Sequence, residues 1–257
     1  MRRNALRLCE RPRPTTAGFF FLFIWYRFGM RSSLVIPLAL VIAGTIIAGG
    51  VYYFFNGSAQ NAGLQNLSVI RPVDDTDHIL GNPAAAVKFV EYSDVDCPFC
   101  KNFKDTMESV MATYGAGGNV AWVYRHLPVT DQHPNAQAHA EASECIAAEG
   151  GTSAFFKFID ALNAAAPGTT QFDPTKYGPV VEKMGLDTSA FTTCLTNHTY
   201  QKRVADEAAN ALAAGAGGTP FTVILIKGQP PVSISGAFSL SQMKQITDEA
   251  LAKAGVK

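Results

Sequence analysis

The pattern of apolar and polar positions divides the chain into an apolar head and a longer body of short segments. Residues 34–55 form a run of 22 residues without a charge. As a helix rising about 1.5 Å per residue it spans about 33 Å, enough for a hydrocarbon core of about 30 Å. Pro37, Gly44, Gly49 and Gly50 interrupt it, residues that lipid-embedded helices tolerate. An earlier apolar stretch, 17–26, is too short to span a bilayer. Residues 56–68, rich in Asn, Gln, Gly and Ser, read as a flexible linker.

In the body, residues 87–93 (VKFVEYS) carry the short apolar run of a buried strand. A helix is expected to open at Cys97-Pro98 and continue to 114, because proline suits the first helical position, where its missing N–H costs nothing. The glycines of 115–119 stop it, and 120–126 (VAWVYRH) read as a second strand. Residues 135–149, 153–164, 175–184 and 188–213 have helical period, broken at Gly150-Gly151, Pro167-Gly168 and Gly185. Strands at 221–227 and 232–237 flank a Gly-Gln-Pro-Pro turn, and a helix over 239–254 starts from Ser239 or Ser241 as N-cap. The order β-α-β, helical block, β-β-α predicts an α/β sheet with helices on both faces. No internal repeat is present.

Charge changes this picture at the head. Formal net charge is zero, yet residues 1–33 hold seven arginines (Arg2, Arg3, Arg7, Arg11, Arg13, Arg27, Arg31) against Glu10, leaving 14 basic and 20 acidic residues in the remainder. An acidic body excludes nucleic-acid binding, which needs a basic footprint. Arg27 and Arg31 precede the apolar run and no Lys or Arg follows it until Arg71. The positive-inside rule therefore expects 1–33 to be a basic cytoplasmic tail, 34–55 a transmembrane anchor, and the rest to lie outside the cytoplasm. The alternative is a cleaved signal ending before Gln60, with Gly57 and Ala59 as the small residues; either way the body is exported. Met30-Arg31-Ser32-Ser33 ahead of the run reads as the natural start of an export signal, with 1–29 then an untranslated upstream stretch; a real disordered cytoplasmic tail is the alternative.

Of the five cysteines, Cys9, Cys97, Cys100, Cys145 and Cys194, two have motif spacing. In Cys97-Pro98-Phe99-Cys100 the first sulfur is expected to be exposed at a helix N-terminus, where free N–H groups favour a thiolate. The second lies one turn in and can resolve a mixed disulfide. A zinc site would want a second Cys or His pair at short spacing, which Cys145 and Cys194 do not supply. No metal and no cofactor is called for. An inert structural Cys97–Cys100 bridge is the other reading.

The run E-Y-S-D-V-D-C-P-F-C after a strand, followed by a helical block and then G-T-P-F-T-V, resembles the DsbA-like branch of the thioredoxin superfamily, especially its membrane-anchored bacterial members. The resemblance implies a thioredoxin fold over 76–257 with a helical insertion at about 130–205, preceded by a linker at 56–75. It implies an enzyme that introduces disulfides into the thiols of exported client proteins and is reoxidised by a membrane quinone-linked partner. Cys97 and Cys100 match the nucleophilic and resolving cysteines. Pro220, preceded by Thr219, matches the cis-proline facing the motif, and Thr219 and Pro220 together with Pro98 and Phe99 would contact substrate. Glu91 matches the buried acid beneath the motif, a proton relay for Cys100. From the residues alone, Thr219-Pro220 could equally be a trans turn and Glu91 a solvated strand end. Cys145 and Cys194 match a second disulfide that related members often carry, and an oxidising compartment favours pairing; two buried free thiols is the alternative.

Departures from the family shade the expectation. DsbA carries His between its cysteines, whereas Phe99 here offers neither donor nor charge. Asp94 and Asp96 are expected to oppose ionisation of Cys97, with Lys101 offsetting part. Thr before the proline also occurs in isomerase branches, whose N-terminal dimerisation domain has no room in 56–75, so a monomer is expected. A disulfide isomerase or reductase, or a holding module with a structural bridge, are the alternative functions. His126 and His133 could line the site or simply pack. Phe155, Phe156 and Phe158 read as core-facing aromatics.

Overall fold

The computed structural model describes residues 66–256. The tail, the anchor and the first half of the 56–75 linker read from the sequence lie outside them. Among the described residues no helix is long and apolar enough to cross a membrane.

A five-stranded mixed sheet forms the centre. Its strands are β1 (His78–Gly81), β2 (Val87–Ser93), β3 (Val120–His126), β4 (Phe221–Ile226) and β5 (Val232–Ser235), in the spatial order β1-β3-β2-β4-β5. β2 pairs in parallel with β3 and antiparallel with β4, while β1 and β5 close the two edges antiparallel to β3 and β4. The helices are α1 (Pro98–Tyr114), α2 (Ala136–Ala165), α3 (Tyr177–Lys183), α4 (Thr188–Thr196), α5 (Gln201–Ala213) and α6 (Leu240–Lys253). This is the thioredoxin-like α/β fold with a helical insertion, here α2–α5.

Central β2 and β3 read as near-continuous apolar runs because both their faces are covered. On one face Phe89 and Trp122 meet α1 through Phe103, Met107 and Val110, α6 through Met243 and Ala250, and α2 through Ile146, Phe155, Phe156 and Phe158. Each such buried side chain contributes roughly 1.5–3 kcal/mol. On the other face Val90, Tyr92 and Val123 pack against Ala211 and Ala214 at the end of α5 and against Leu67, Ile70 and Val73. Residues 66–75, read from sequence as the end of the linker, thus pack onto the domain. Buried Arg125 holds them there, donating to Arg71 O, Pro72 O and both carboxylate oxygens of Asp77.

The expected helical breaks occur, and two differences stand out. β1 was not anticipated: four residues after a polar Asp-rich turn carry too little pattern to read as a strand. It fits because Gly81 adopts φ +99°, where an added Cβ would meet Val120 O at 2.7 Å. The single helix expected over 188–213 is two helices. The chain turns between α4 and α5, with His198 in the left-handed region at φ 50°. The Thr-Asn-His-Thr stretch here is polar and rich in residues that accept this conformation. At Gly151 (φ 68°, ψ −170°) α2 kinks, and Ser239 and Gln242 close a capping box on α6.

Candidate active site

The site forms where β2 runs into α1. Cys97 is the N-cap of α1 in extended conformation and Pro98 opens the helix. Cys100 shares the helix face of Phe103, Met107 and Val110, which turns its thiol into the core. Both cysteines are free thiols and buried, Cys97 at 4% exposure and Cys100 at 3%. The expectation that Cys97 is exposed therefore needs correction: it is buried, with its sulfur against Thr219 O. Pro98 is partly covered, and Phe99 is the exposed member of the motif at 63%.

Pro220 lies across from the motif at the start of β4, and the Thr219-Pro220 bond is cis. The Cys97 thiol donates to Thr219 O at 3.6 Å. A hydrogen bond from the Cys100 thiol, the Thr219 side chain and the peptide N–H groups of Cys100 and Phe99 lower the Cys97 pKa to about 5, against the effect of burial. Burial pushes Cys100 the other way, well above the ordinary thiol value, with the charges of Cys97 and Glu91 adding to it. One thiol is thus poised as a nucleophile and the other is held protonated.

Glu91 is fully buried beneath the motif, on the face of β2 that also carries Val87 and Phe89. Burial raises its carboxyl to about 7, while bonds from Ser93 and Trp122 partly oppose the shift. One oxygen accepts from Trp122 Nε1 at 2.9 Å and the other has no hydrogen-bond partner. Lys104, also buried, pairs with Glu108 and Asp160.

The two acids before the motif each meet a histidine, and their charges, like that of Cys97, act on Lys101. Asp94 bonds His133 Nδ1 at 2.8 Å, and Asp96 lies 3.3 Å from His139 Nε2, whose other nitrogen bonds Tyr177. Both carboxylates are turned into partners from the insertion and the loop before it. Lys101 spends its ammonium on Ala166 O and Thr170 O, at 2.7 and 2.9 Å. His139, Tyr177 and Trp122 were missed from the sequence. Only a buried alternation in β3 hinted at Trp122.

Cys145 on α2 and Cys194 on α4 form a disulfide with Cα atoms 5.9 Å apart. His126 does not join the cysteines. It and His78 bond Glu144 Oε1 at 3.0 and 2.9 Å. Although burial alone would raise it, these bonds hold Glu144 well below the usual carboxylate range. His126, Glu144 and Glu207 bring ligand-type atoms within 4.8 Å of one another. However, Arg203 Nε sits 3.2 Å from Glu144 and 3.4 Å from Glu207, supplying a countercharge in place. The group therefore reads as an ion-pair network tying α2 and α5 to β3. Phe155, Phe156 and Phe158 are buried in the core.

The family model described as Thioredoxin matches residues 73–248. The chain belongs to this thioredoxin family. Among solved structures it is similar to DsbA2 of Pseudomonas aeruginosa, at 24% identity and TM-score 0.56, over 69% of this chain and 96% of that one. It is also similar to oxidised BdbD of Bacillus subtilis, at 21% identity and TM-score 0.61, over 71% and 97%. These likenesses show a shared fold. A curated relative, the Na(+)/H(+) antiporter NhaA 3 of Salinispora tropica, is 34% identical over 155 residues, 60% of this chain but 22% of the relative. The thioredoxin-family chain thus matches under a quarter of that antiporter's length.

Proposed function

We propose that this chain is a membrane-anchored, extracytoplasmic thiol–disulfide oxidoreductase that introduces disulfides into exported proteins. The observation that carries the reading is the asymmetry of the two thiols: Cys97 lowered to about 5 beside the cis Thr219-Pro220 bond, and Cys100 raised behind it. A stabilised Cys97 thiolate stabilises the reduced protein and so makes its disulfide oxidising. Oxidised chain accepts attack of a client thiolate at Cys97, and a second client thiolate then releases the client as a disulfide. Thr219 O lies beside the sulfur and Phe99 is exposed on the same motif, features that suit an extended client segment. The reduced protein is returned to the disulfide by a membrane quinone-linked partner.

The Cys145–Cys194 bridge supports an oxidising compartment, and the apolar run 34–55 supports a membrane anchor. The ion transport in the relatives' names is not carried over, since the match covers a minor part of them.

The test is oxidation of a reduced dithiol peptide by the full chain loaded with the Cys97–Cys100 disulfide. Stoichiometric oxidation is expected, with complete loss in Cys97→Ser. A loaded wild-type protein that leaves the peptide reduced would favour a holding module with a structural bridge.

A further inference from the structure

Asp94 touches both active-site cysteines through its backbone. Its carbonyl accepts from Cys97 N at 3.1 Å, and its own N–H donates to Cys100 Sγ at 3.5 Å. Its buried side chain is held at three points. Oδ1 accepts from Asp96 N, and Oδ2 from Val129 N and His133 Nδ1, each at 2.8 Å. Val129 and His133 belong to the segment joining β3 to α2, so the entrance to the insertion grips the loop ahead of the motif. Cys97 and Glu91 act on Cys100, their charges opposing its ionisation, and buried Tyr124 on β3 also feels the Cys100 charge, while the Asp94 N–H favours ionisation.

We propose that the Asp94 peptide N–H is the donor that carries the negative charge of Cys100 Sγ during exchange, and that His133, by pinning the Asp94 carboxylate, is the positioning residue that aims it. This rests on the exchange activity proposed above. In the oxidising direction a client thiolate attacks Sγ of Cys97. The client–Cys97 bond forms, the Cys97–Cys100 bond breaks, and the electron pair leaves on Cys100 as a thiolate. The Asp94 N–H meets that charge in a buried site. Cys100 then takes up a proton, from Glu91 or from water. The second client thiolate attacks the client sulfur of the mixed disulfide and expels Cys97 as a thiolate. The client has then lost two electrons and the protein has gained them. In reverse, deprotonated Cys100 attacks Cys97 Sγ and expels the client thiolate, and the same donor stabilises the attacking sulfur. A hydrogen bond to a charged group outweighs one between neutral groups, so its effect falls on the steps in which Cys100 is ionised.

The experiment uses the full chain trapped as a Cys97 mixed disulfide with a small thiol, and follows thiol release against pH. In parallel, alkylation of reduced Cys97 by iodoacetamide reports the nucleophile and the integrity of the fold. His133→Leu should slow release about fivefold or more, as loss of one charge-assisted bond implies, and move the half-maximal pH upward. Cys97 alkylation should stay near wild type, and His133→Asn, which still offers an N–H, should restore release. A His133→Leu variant with normal alkylation and wild-type release at every pH overturns the proposal. If that variant does not fold, Asp94→Asn, which leaves one acceptor oxygen for three donors, is read in the same way: slowed release supports the proposal and unchanged release overturns it. Wild-type protein that alkylates but never releases the thiol overturns the exchange activity itself, and the proposal with it.

Discussion

Trp122 Nε1 donates to Glu91 Oε2 at 2.9 Å across two parallel strands. Glu91 is in register with Tyr124, and Trp122 is two residues before it on the same face. The indole holds one carboxylate oxygen in place and leaves the other without a partner next to the core. A carboxyl held this way favours its neutral form and stays close to exchanging protons at neutral pH.

Glu91 should therefore trade stability for turnover. Its carboxyl sits at about 7 in the fold against an ordinary 4.5. Between these values the folded protein binds more protons than the unfolded chain, so stability falls as pH rises from about 4.5 to about 7. The loss amounts to roughly 3 kcal/mol at most. Glu91→Gln should melt close to wild type at pH 4.5 and above it at pH 8, while exchanging thiols more slowly. Melting curves at the two pH values check the first part. A variant that melts lower at pH 8 contradicts the burial argument.

Removing the second bridge should cost stability without costing chemistry. Cys145 and Cys194 are separated by 49 positions, and the chain-entropy model gives about 4 kcal/mol for a loop of this size as an upper-end value. The double Cys→Ala variant should melt at lower temperature and still oxidise a dithiol peptide. Loss of oxidation in a folded variant would make the pair redox-active.

The reduction potential should fall between those of the oxidising and reducing ends of the superfamily. With Cys97 at about 5, its thiolate is stabilised less than in DsbA (about 3.5) and more than in thioredoxin (about 7). The potential is then expected between about −120 and about −270 mV. Phe99→His should move it toward the oxidising end, where each 30 mV is about 1.4 kcal/mol. Glutathione equilibration with thiol trapping gives both values. A wild-type potential at or above the DsbA value, or a more reducing Phe99→His variant, defeats the argument.

Orientation is open to a direct readout. A reporter fused after Ser68 should be active only if it is a type that works outside the cytoplasm. Activity of a cytoplasm-only reporter at that position would reverse the topology read from Arg27, Arg31 and the apolar run.

What the sequence made legible was local. Cys97-Pro98-Phe99-Cys100 announces a helix start and a nucleophile in four residues, and the short apolar run of 87–93 announces a buried strand. Pro220 could be matched to the motif only through family resemblance, because nothing local brings together positions more than 120 apart. The bond of Trp122 to Glu91 depends on strand register, and periodicity does not give register between strands 30 residues apart. The partners of the acids were hidden for a similar reason. Charge counted along the chain places Asp94 and Asp96 against Cys97, while the fold turns them toward His133 and His139. β1 was too short to show, and the turn at His198 was hidden inside an otherwise unbroken helical period.

The two edge strands carry a consequence of their own. β1 and β5, the two edges of the sheet, are four residues each. A protein that handles unfolded chains meets segments eager to add themselves to any open β-edge. Rims this short would give such a visitor little to zip onto, so under the proposed function a client held at the cysteines would have few ways to linger as an extra strand and seed aggregation.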